Sequence, residues 1–355
     1  MQAAQRRLTL LKGLGLAGVV FTMGVILLGA WTRLVDAGLG CPDWPGCYGA
    51  LVVPDEGRAL AHSPASPLVS AKAWMEMVHR YVASALGLLV IALVLLGWPL
   101  RRRADYPWRL SLALLGLIML QGAFGAFTVT LKLWPQVVTL HLLGGFSVML
   151  VFLWLHLRLR RCANGHLAPG GVASPRCRLT PLWGIAAMLL VAQLALGGWV
   201  SSNYAGIACQ GFPTCNGAWW PAMDWSEGFH LSQGVGPNYL HGQLHAEARS
   251  AIQVGHRLGA LALGMALMAL VLHAWREPAM RPWLAGLGSA YIVQFLLGIA
   301  NVLLWLPLWL ALLHTAGAVA LALSLALAAW RWRCLAPAST TSCQSSRQKK
   351  EWVHV

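Results

Sequence analysis

The amino-acid sequence predicts an all-α integral membrane protein whose eight transmembrane helices form two four-helix bundles related as parallel repeats. Three observations carry that prediction. Apolar residues make up 58% of the 355 and charged residues only 10%, where a water-soluble domain carries roughly 25% charge. Eight stretches approach the length of about 20 apolar residues that a helix needs to cross a bilayer core. The second half of the chain also repeats landmarks of the first.

In order, the stretches are Leu14–Thr32, Tyr81–Leu100, Leu110–Leu131, Val137–Leu157, Pro181–Ser201, Leu258–Trp275, Trp283–Leu304 and Leu308–Trp330. None contains an acid, a lysine or an arginine. Lipid offers no hydrogen-bond partners, so each must satisfy its own backbone as a helix. The first is of spanning length and no small-residue cleavage site follows it, so it reads as a retained helix rather than a signal peptide. Eight spans put both termini on one side. Of the 26 Lys and Arg, 19 fall on that side; the other face holds seven: Arg33, Arg58, Lys72, Arg80, Lys132, Arg249 and Arg257. The positive-inside rule then places the termini in the cytoplasm. The net charge of +15 is a topology signal, not a nucleic-acid footprint, because the basic residues flank apolar runs and form no patch.

The repeat is direct. Gly29-Ala30-Trp31, the run Ala37 to Cys41 and Pro45-Gly46-Cys47 return 168 residues later as Gly197-Gly198-Trp199, Ala205 to Cys209 and Pro213-Thr214-Cys215. His79-Arg80 returns as His256-Arg257 at an offset of 177; Gln121, Gly125 and His141 return as Gln294, Gly298 and His314 at 173. An even number of spans per repeat sends both copies into the membrane in the same direction, about an axis along its normal. The expected division is an N-terminal bundle over 1–160, a cytoplasmic linker over 161–180, a C-terminal bundle over 181–335 and a cytoplasmic tail over 336–355. Asn164-Gly165, Pro169-Gly170-Gly171 and Pro175 mark the linker as a loop.

Of twelve histidines, His62, His166, His230, His241, His245 and His354 fall in polar loops or the tail. His156 and His273 sit at helix ends, where an imidazole complements the helix dipole. His79, His141, His256 and His314 remain, each near the external end of an even-numbered helix, one pair per half. At about 1.5 Å rise per residue, the members of each pair reach similar depth. Two imidazoles on separate helices suit an iron porphyrin with two axial histidines, held in a flat apolar slot. Zinc asks for four N, S or O ligands in a tetrahedron, and only Glu76 joins the histidines at that depth. A single intramembrane histidine is commonly an interior hydrogen-bonding group, whereas four at repeat-matched positions point to ligation. Arg80 and Arg257 follow their histidines near the external interface. Two roles fit them equally: contact with haem propionates, and snorkelling to headgroups.

The halves differ at one informative place. Glu76 lies three residues before His79, on the same helix face, while Gln253 is its counterpart beside His256. A carboxylate beside a reacting haem moves protons, whereas an electron-transfer haem needs none. Chemistry is therefore expected in the first half and electron carriage in the second. Cys41/Cys47 and Cys209/Cys215 form two pairs in external loops, where disulfides persist; Cys162, Cys177, Cys334 and Cys343 lie on the reduced cytoplasmic side. The external pairs read as structural staples, with thiol exchange as the alternative.

Taken together, the segments Thr32-Arg33-Leu34, Ala37-Gly38-Leu39-Gly40-Cys41-Pro42-Asp43-Trp44-Pro45-Gly46-Cys47, Glu76-Met77-Val78-His79-Arg80, His141, His256-Arg257 and His314 resemble those of the heme A synthase family, over all eight helices. The resemblance implies a membrane oxidoreductase that converts the C8 methyl group of haem O to the formyl group of haem A for terminal oxidase assembly. It implies haem O as substrate on His79 and His141, haem b as cofactor on His256 and His314, and a role for Glu76 in the oxidation. It also implies that Cys41–Cys47 and Cys209–Cys215 match extracytoplasmic disulfides. Expected partners are membrane lipid, a haem O synthase, an electron donor and, in a homo-oligomer, further copies of the chain. The expected location is the bacterial inner membrane, since no Arg- and Ser-rich amphipathic leader is evident. The long external segment Trp219–Arg249 matches no family motif. The competing readings are a diheme cytochrome taking electrons from quinol and a haem transporter or chaperone.

Overall fold

The computed structural model describes residues 2–163, 180–236 and 238–335. The expected tail, nearly all of the expected linker, and with them His166, His354, Cys177 and Cys343, lie outside the described residues. Among the described residues there are eight long helices and no strand: α1 (Gln2–Leu34), α2 (Ser70–Gly97), α3 (Trp108–Thr130), α4 (Pro135–Ala163), α5 (Pro181–Ser202), α6 (Ala246–Ala274), α7 (Arg281–Leu303) and α8 (Leu308–Cys334). All eight are long and apolar enough to cross a membrane. Each carries apolar residues on its outer face as well as inside, as a lipid-solvated helix must. Leu88, Leu95, Met119, Met188, Met265 and Leu272 are exposed, while Leu86, Val90, Leu93, Leu114, Leu155, Leu263 and Leu270 are buried in one continuous core.

Three helices start well before the apolar runs that predicted them, α1 at Gln2 rather than Leu14 because basic residues interrupt its first turns. α2 begins at Ser70 rather than Tyr81, and α6 at Ala246 rather than Leu258. The apolar criterion stopped at Arg80 and Arg257. Both arginines instead turn onto a neighbouring loop, so the helices continue past them, and His79 and His256 lie about three turns inside their helices.

α1 packs on α2 and α4, α2 on α3, and α3 on α4; in the second half α5 packs on α6, α6 on α7, α7 on α8, and α8 lightly on α5. The two sets meet through α4 on α5 and α1 on α8. This arrangement is compatible with a duplicated bundle, and the backbone repeats at matched positions. Asp36 and Tyr204, Tyr48 and Asn216, Lys132 and Trp305, and Leu133 and Leu306 all adopt positive φ. Two consecutive left-handed residues of this kind cost about 1–3 kcal/mol each. Their return is a tight helix-to-helix turn that drives Leu133 under Gly38 and Leu306 under Gly206; at either glycine a Cβ would stand 3.2 Å from the leucine methyl.

The external surface ties the halves together. Arg33 of the first half donates to the Ser201 carbonyl at 2.9 Å and to the Tyr204 hydroxyl, which in turn donates to Asp36 at 3.0 Å. Burial raises the Tyr204 phenol above its usual range, so it stays a donor at neutral pH. The segment after α5 crosses to the α3–α4 turn: Trp134 donates to the Gln233 carbonyl at 3.0 Å, Gln136 to that of Leu231 at 2.9 Å, and the Tyr239 amide to that of Lys132 at 3.0 Å. Deeper in the seam, Thr139 of α4 meets Ser202 of α5 at 3.3 Å.

The α1–α4 contact depends on a missing side chain. Gly18 leaves room for the ring of Phe152, which is fully buried, and any Cβ there would collide with it. Gly18→Leu is expected to cost about 1–3 kcal/mol through overpacking, read as a lower thermal unfolding midpoint in detergent. Gly24→Leu, at a position with open space around it, is expected to leave the midpoint unchanged.

Candidate functional site

Each of the four histidines that repeat lies on an even-numbered helix and lays its ring against a glycine of an odd-numbered one. A Cβ on Gly29 of α1 would come within 2.9 Å of His79 Cε1; on Gly125 of α3, within 3.5 Å of His141; on Gly197 of α5, within 3.4 Å of His256; and on Gly298 of α7, within 3.1 Å of His314. Because glycine has no side chain, the imidazole packs directly on the neighbouring helix and is held from behind. His256 and His314 come together with ring centroids 6.5 Å apart. His79 and His141 occupy the same glycine-backed stations on α2 and α4.

This geometry suits haem. Two metal–imidazole bonds of about 2 Å each, with each ring centre about 1 Å behind its nitrogen, separate the centroids by about 6 Å. The second pair stands at nearly that spacing. Among the described residues no group of three or more His, Cys, Asp or Glu could hold a metal ion alone, so the donor set is two imidazoles per half, as axial haem ligation requires. Nδ1 of His79, His141 and His314 is buried without a hydrogen-bond partner, a cost that the protein alone leaves uncompensated.

Beside His79 the structure adds a clamp. Glu76 is buried; its Oε2 accepts from the Cys41 amide at 2.9 Å, and its Oε1 pairs with Arg80. Arg80 also donates to the carbonyls of Asp43, Pro45 and Gly46. Glu76 and Arg80 thus bind α2 to the loop closed by the Cys41–Cys47 disulfide. In the second half Arg257 donates to the carbonyls of Cys209, Gly211, Pro213 and Thr214, holding the loop closed by Cys209–Cys215. Gln253 stands where the carboxylate was, with its amide 3.4 Å from the Gly206 carbonyl. The geometry therefore assigns both arginines a third role, as donors to loop carbonyls, which the sequence reading did not consider.

Residues 13–326 match the COX15-CtaA family model, described as cytochrome oxidase assembly protein. The chain belongs to this family. A heme A synthase of Shewanella oneidensis is 41% identical over 306 residues, covering 84% of this chain and 90% of that protein. Heme A synthases of Rhodospirillum centenum and Rhizorhabdus wittichii are 30% and 27% identical, covering 85% and 84% of this chain and 82% and 87% of theirs.

Some features of this cytochrome oxidase assembly family member were not anticipated. Gly29, Gly125, Gly197 and Gly298 were visible as repeat landmarks, yet their spacing carried no sign that they back the histidines. His241, grouped with the solvated loop histidines, lies tilted against Tyr204 and stands 3.8 Å from Asp36. His245 occupies the position before the first turn of α6 and contacts Glu227 at 2.9 Å. Cys162 and Cys334 are free thiols among the described residues, as expected for the side opposite the disulfides.

Removing one member of a buried ion pair is costly, about 3–5 kcal/mol where the partner stays charged. Arg80→Ala is therefore expected to loosen the 41–47 loop. After brief treatment with a mild reductant, alkylation of Cys41 and Cys47 should run several-fold faster than in the unsubstituted protein, with Cys209 and Cys215 unaffected. Equal rates would contradict the clamp.

Proposed function

We propose that this protein is a heme A synthase: an enzyme of the bacterial membrane that oxidises the C8 methyl group of haem O to the formyl group of haem A. The observation that carries the reading is an asymmetry within a repeated site. Glycine-backed histidines stand in both halves, but only one half places a carboxylate, Glu76, a turn from its histidine. In this reading the N-terminal bundle, 1–160, receives haem O between His79 and His141. The C-terminal bundle, 181–335, holds haem b between His256 and His314, with 161–180 as cytoplasmic linker and 336–355 as cytoplasmic tail. Both termini face the cytoplasm, so the sites and both disulfides lie toward the outer face. A haem O synthase delivers the substrate and a separate donor exchanges electrons.

When bound, haem b supplies one-electron redox chemistry that no side chain provides. The chain's own residues position and manage protons. His79 and His141 fix the substrate's depth and tilt, with Gly29 and Gly125 preventing their rings from retreating. Turning a methyl group into a formyl group breaks two C–H bonds and brings in one oxygen, and Glu76 is the titratable group placed to exchange protons there. Each oxygen of the ionised carboxylate keeps a lone pair beyond the one used by its donor. Arg80 and the Cys41 amide hold it on the α2 face that carries His79. Gln253, an amide, does not exchange protons in this way, in keeping with an electron-carrying site.

Two experiments test the reading. His256→Ala and His314→Ala are each expected to abolish the low-spin haem b spectrum of the purified protein, and undiminished haem b in both would defeat the assignment. Glu76→Gln is expected to retain haem b while cells supplied with haem O accumulate it and form at least tenfold less haem A, by chromatography of extracted haems. Normal haem A formation would remove the carboxylate from the reaction. Haem b without any haem A production by the unsubstituted protein would instead favour a diheme cytochrome.

A further inference from the structure

Each disulfide loop ends in a tight turn that leaves an apolar pair exposed. The Cys47 amide donates to the Ala50 carbonyl at 2.7 Å, and the Ala50 amide donates back to that of Cys47 at 3.1 Å; Cys215 and Ala218 repeat the exchange at 2.8 and 3.1 Å. Tyr48-Gly49 and Asn216-Gly217, between them, all take positive φ, the two-residue hairpin conformation that Asn and Gly favour. The residues that follow are Leu51-Val52 in the first half and Trp219-Trp220 in the second, matched at the 168-residue offset. They are 76% and 54% exposed in one loop and 76% and 65% exposed in the other. What Leu-Val and Trp-Trp share is apolar bulk, and the histidine sites make no use of it.

Both tips are attached to the same feature of the fold. On α2, Tyr81, Leu88 and Leu95 recur every seven residues and are exposed. On α6, Leu258, Met265 and Leu272 do the same, each 177 residues after its first-half counterpart. Positions seven apart share a helix face, so these are matched stripes on the lipid side of the two helices. The Tyr81 hydroxyl donates to the Leu51 carbonyl, which fixes the first tip at the head of its stripe. In the second half Trp220 stacks on Trp225 and Trp225 on Phe229, with ring centroids 6.0 and 5.7 Å apart. Phe229 in turn lies against Gly255 of α6, where a Cβ would come within 2.8 Å of the ring. Gly255 is about one turn before Leu258. Different contacts thus bring both tips to the level at which an apolar stripe begins.

We infer that the two tips are interfacial anchors: Leu51-Val52 and Trp219-Trp220 enter the headgroup–acyl boundary of the leaflet at the histidine end of the bundles and hold the disulfide loops to the bilayer. In a parallel repeat about an axis along the membrane normal, matched tips stand at equal height on different sides of the molecule. One planar boundary meets both, whereas a protein partner meets one at a time. Indole rings favour this boundary, and Leu and Val side chains leave water there through the hydrophobic effect. The tips also continue a surface that lipid already covers, the stripes on α2 and α6. Glu76 and Arg80 grip the first loop from α2, and Arg257 grips the second from α6, so each loop is held by its helix on one side and by lipid on the other. The inference does not depend on what the four histidines bind.

The test places the purified protein in phospholipid nanodiscs holding one chain each, so that no second copy covers the tips. With Cys162, Cys177, Cys334 and Cys343 replaced by serine, a nitroxide is attached in turn through Val52→Cys, Trp220→Cys and, as the aqueous reference, Ser232→Cys on the exposed surface of the segment that crosses between the halves. Collisions with oxygen, which concentrates in acyl chains, are compared with collisions with a water-soluble nickel chelate. Both tip labels are expected to give an oxygen-to-nickel ratio several-fold above the reference, at a depth of about 5–10 Å into the boundary. A ratio equal to the reference at either tip would overturn the inference. Protection that develops only when several chains share a bilayer, or when another membrane protein is added, would overturn it too and make the tips a protein-docking surface. Should a labelled variant fail to fold, brominated phospholipids read the second tip without labels. The indole emission that is lost in Trp219→Phe combined with Trp220→Phe is expected to be quenched several-fold by bromine in the unsubstituted protein, and unquenched emission from these two rings would sink the proposal.

Discussion

At Gly29 and Gly298 the imidazole lies so close to the neighbouring helix that a Cβ would crowd it, and at Gly125 and Gly197 it lies within van der Waals contact of where a Cβ would stand. Four such contacts, His79 on Gly29, His141 on Gly125, His256 on Gly197 and His314 on Gly298, set the geometry of the site. They bring odd- and even-numbered helices close together, and in the second half side-chain amides of Gln193 and Gln294 also meet the rings of His256 and His314. Other features of the fold keep this approach in place. The left-handed turns at Lys132–Leu133 and Trp305–Leu306 return the chain within a few residues, so that α3 and α4, and α7 and α8, stay in register. The arginine-bound disulfide loops cap the same ends of the bundles.

On this shared frame some differences between the two halves carry a physical consequence. Glu76 against Gln253 separates a group that exchanges protons from one that does not. Arg33 and Asp36 against Ser201 and Tyr204 place complementary groups where the halves meet, so that two similar surfaces become a specific pair. The repeated landmarks give two similar histidine sites, and these substitutions make them unequal.

Much of this was legible in the sequence. The eight spans follow from hydropathy, and the four histidines from their recurrence at constant offsets. The lengths of α2 and α6 did not, because a charged residue ends an apolar run whether it faces lipid or folds back onto a loop, as Arg80 and Arg257 do. The glycines were seen as landmarks, but their function depends on which helix packs beside which, and that is a property of the tertiary fold. The segment from Trp219 to Arg249 matched no family motif, and its bonds to Lys132, Trp134 and Gln136 are long-range contacts that no local pattern reports.

That crossing segment changes what holds the molecule in one piece. With α4 packed on α5, α1 on α8 and the outer loops bonded from one half to the other, residues 164–179 are not needed to keep the halves side by side. A nick there would leave two fragments that stay associated, and a gene split at that point would yield two membrane polypeptides able to find one another as a natural heterodimer does.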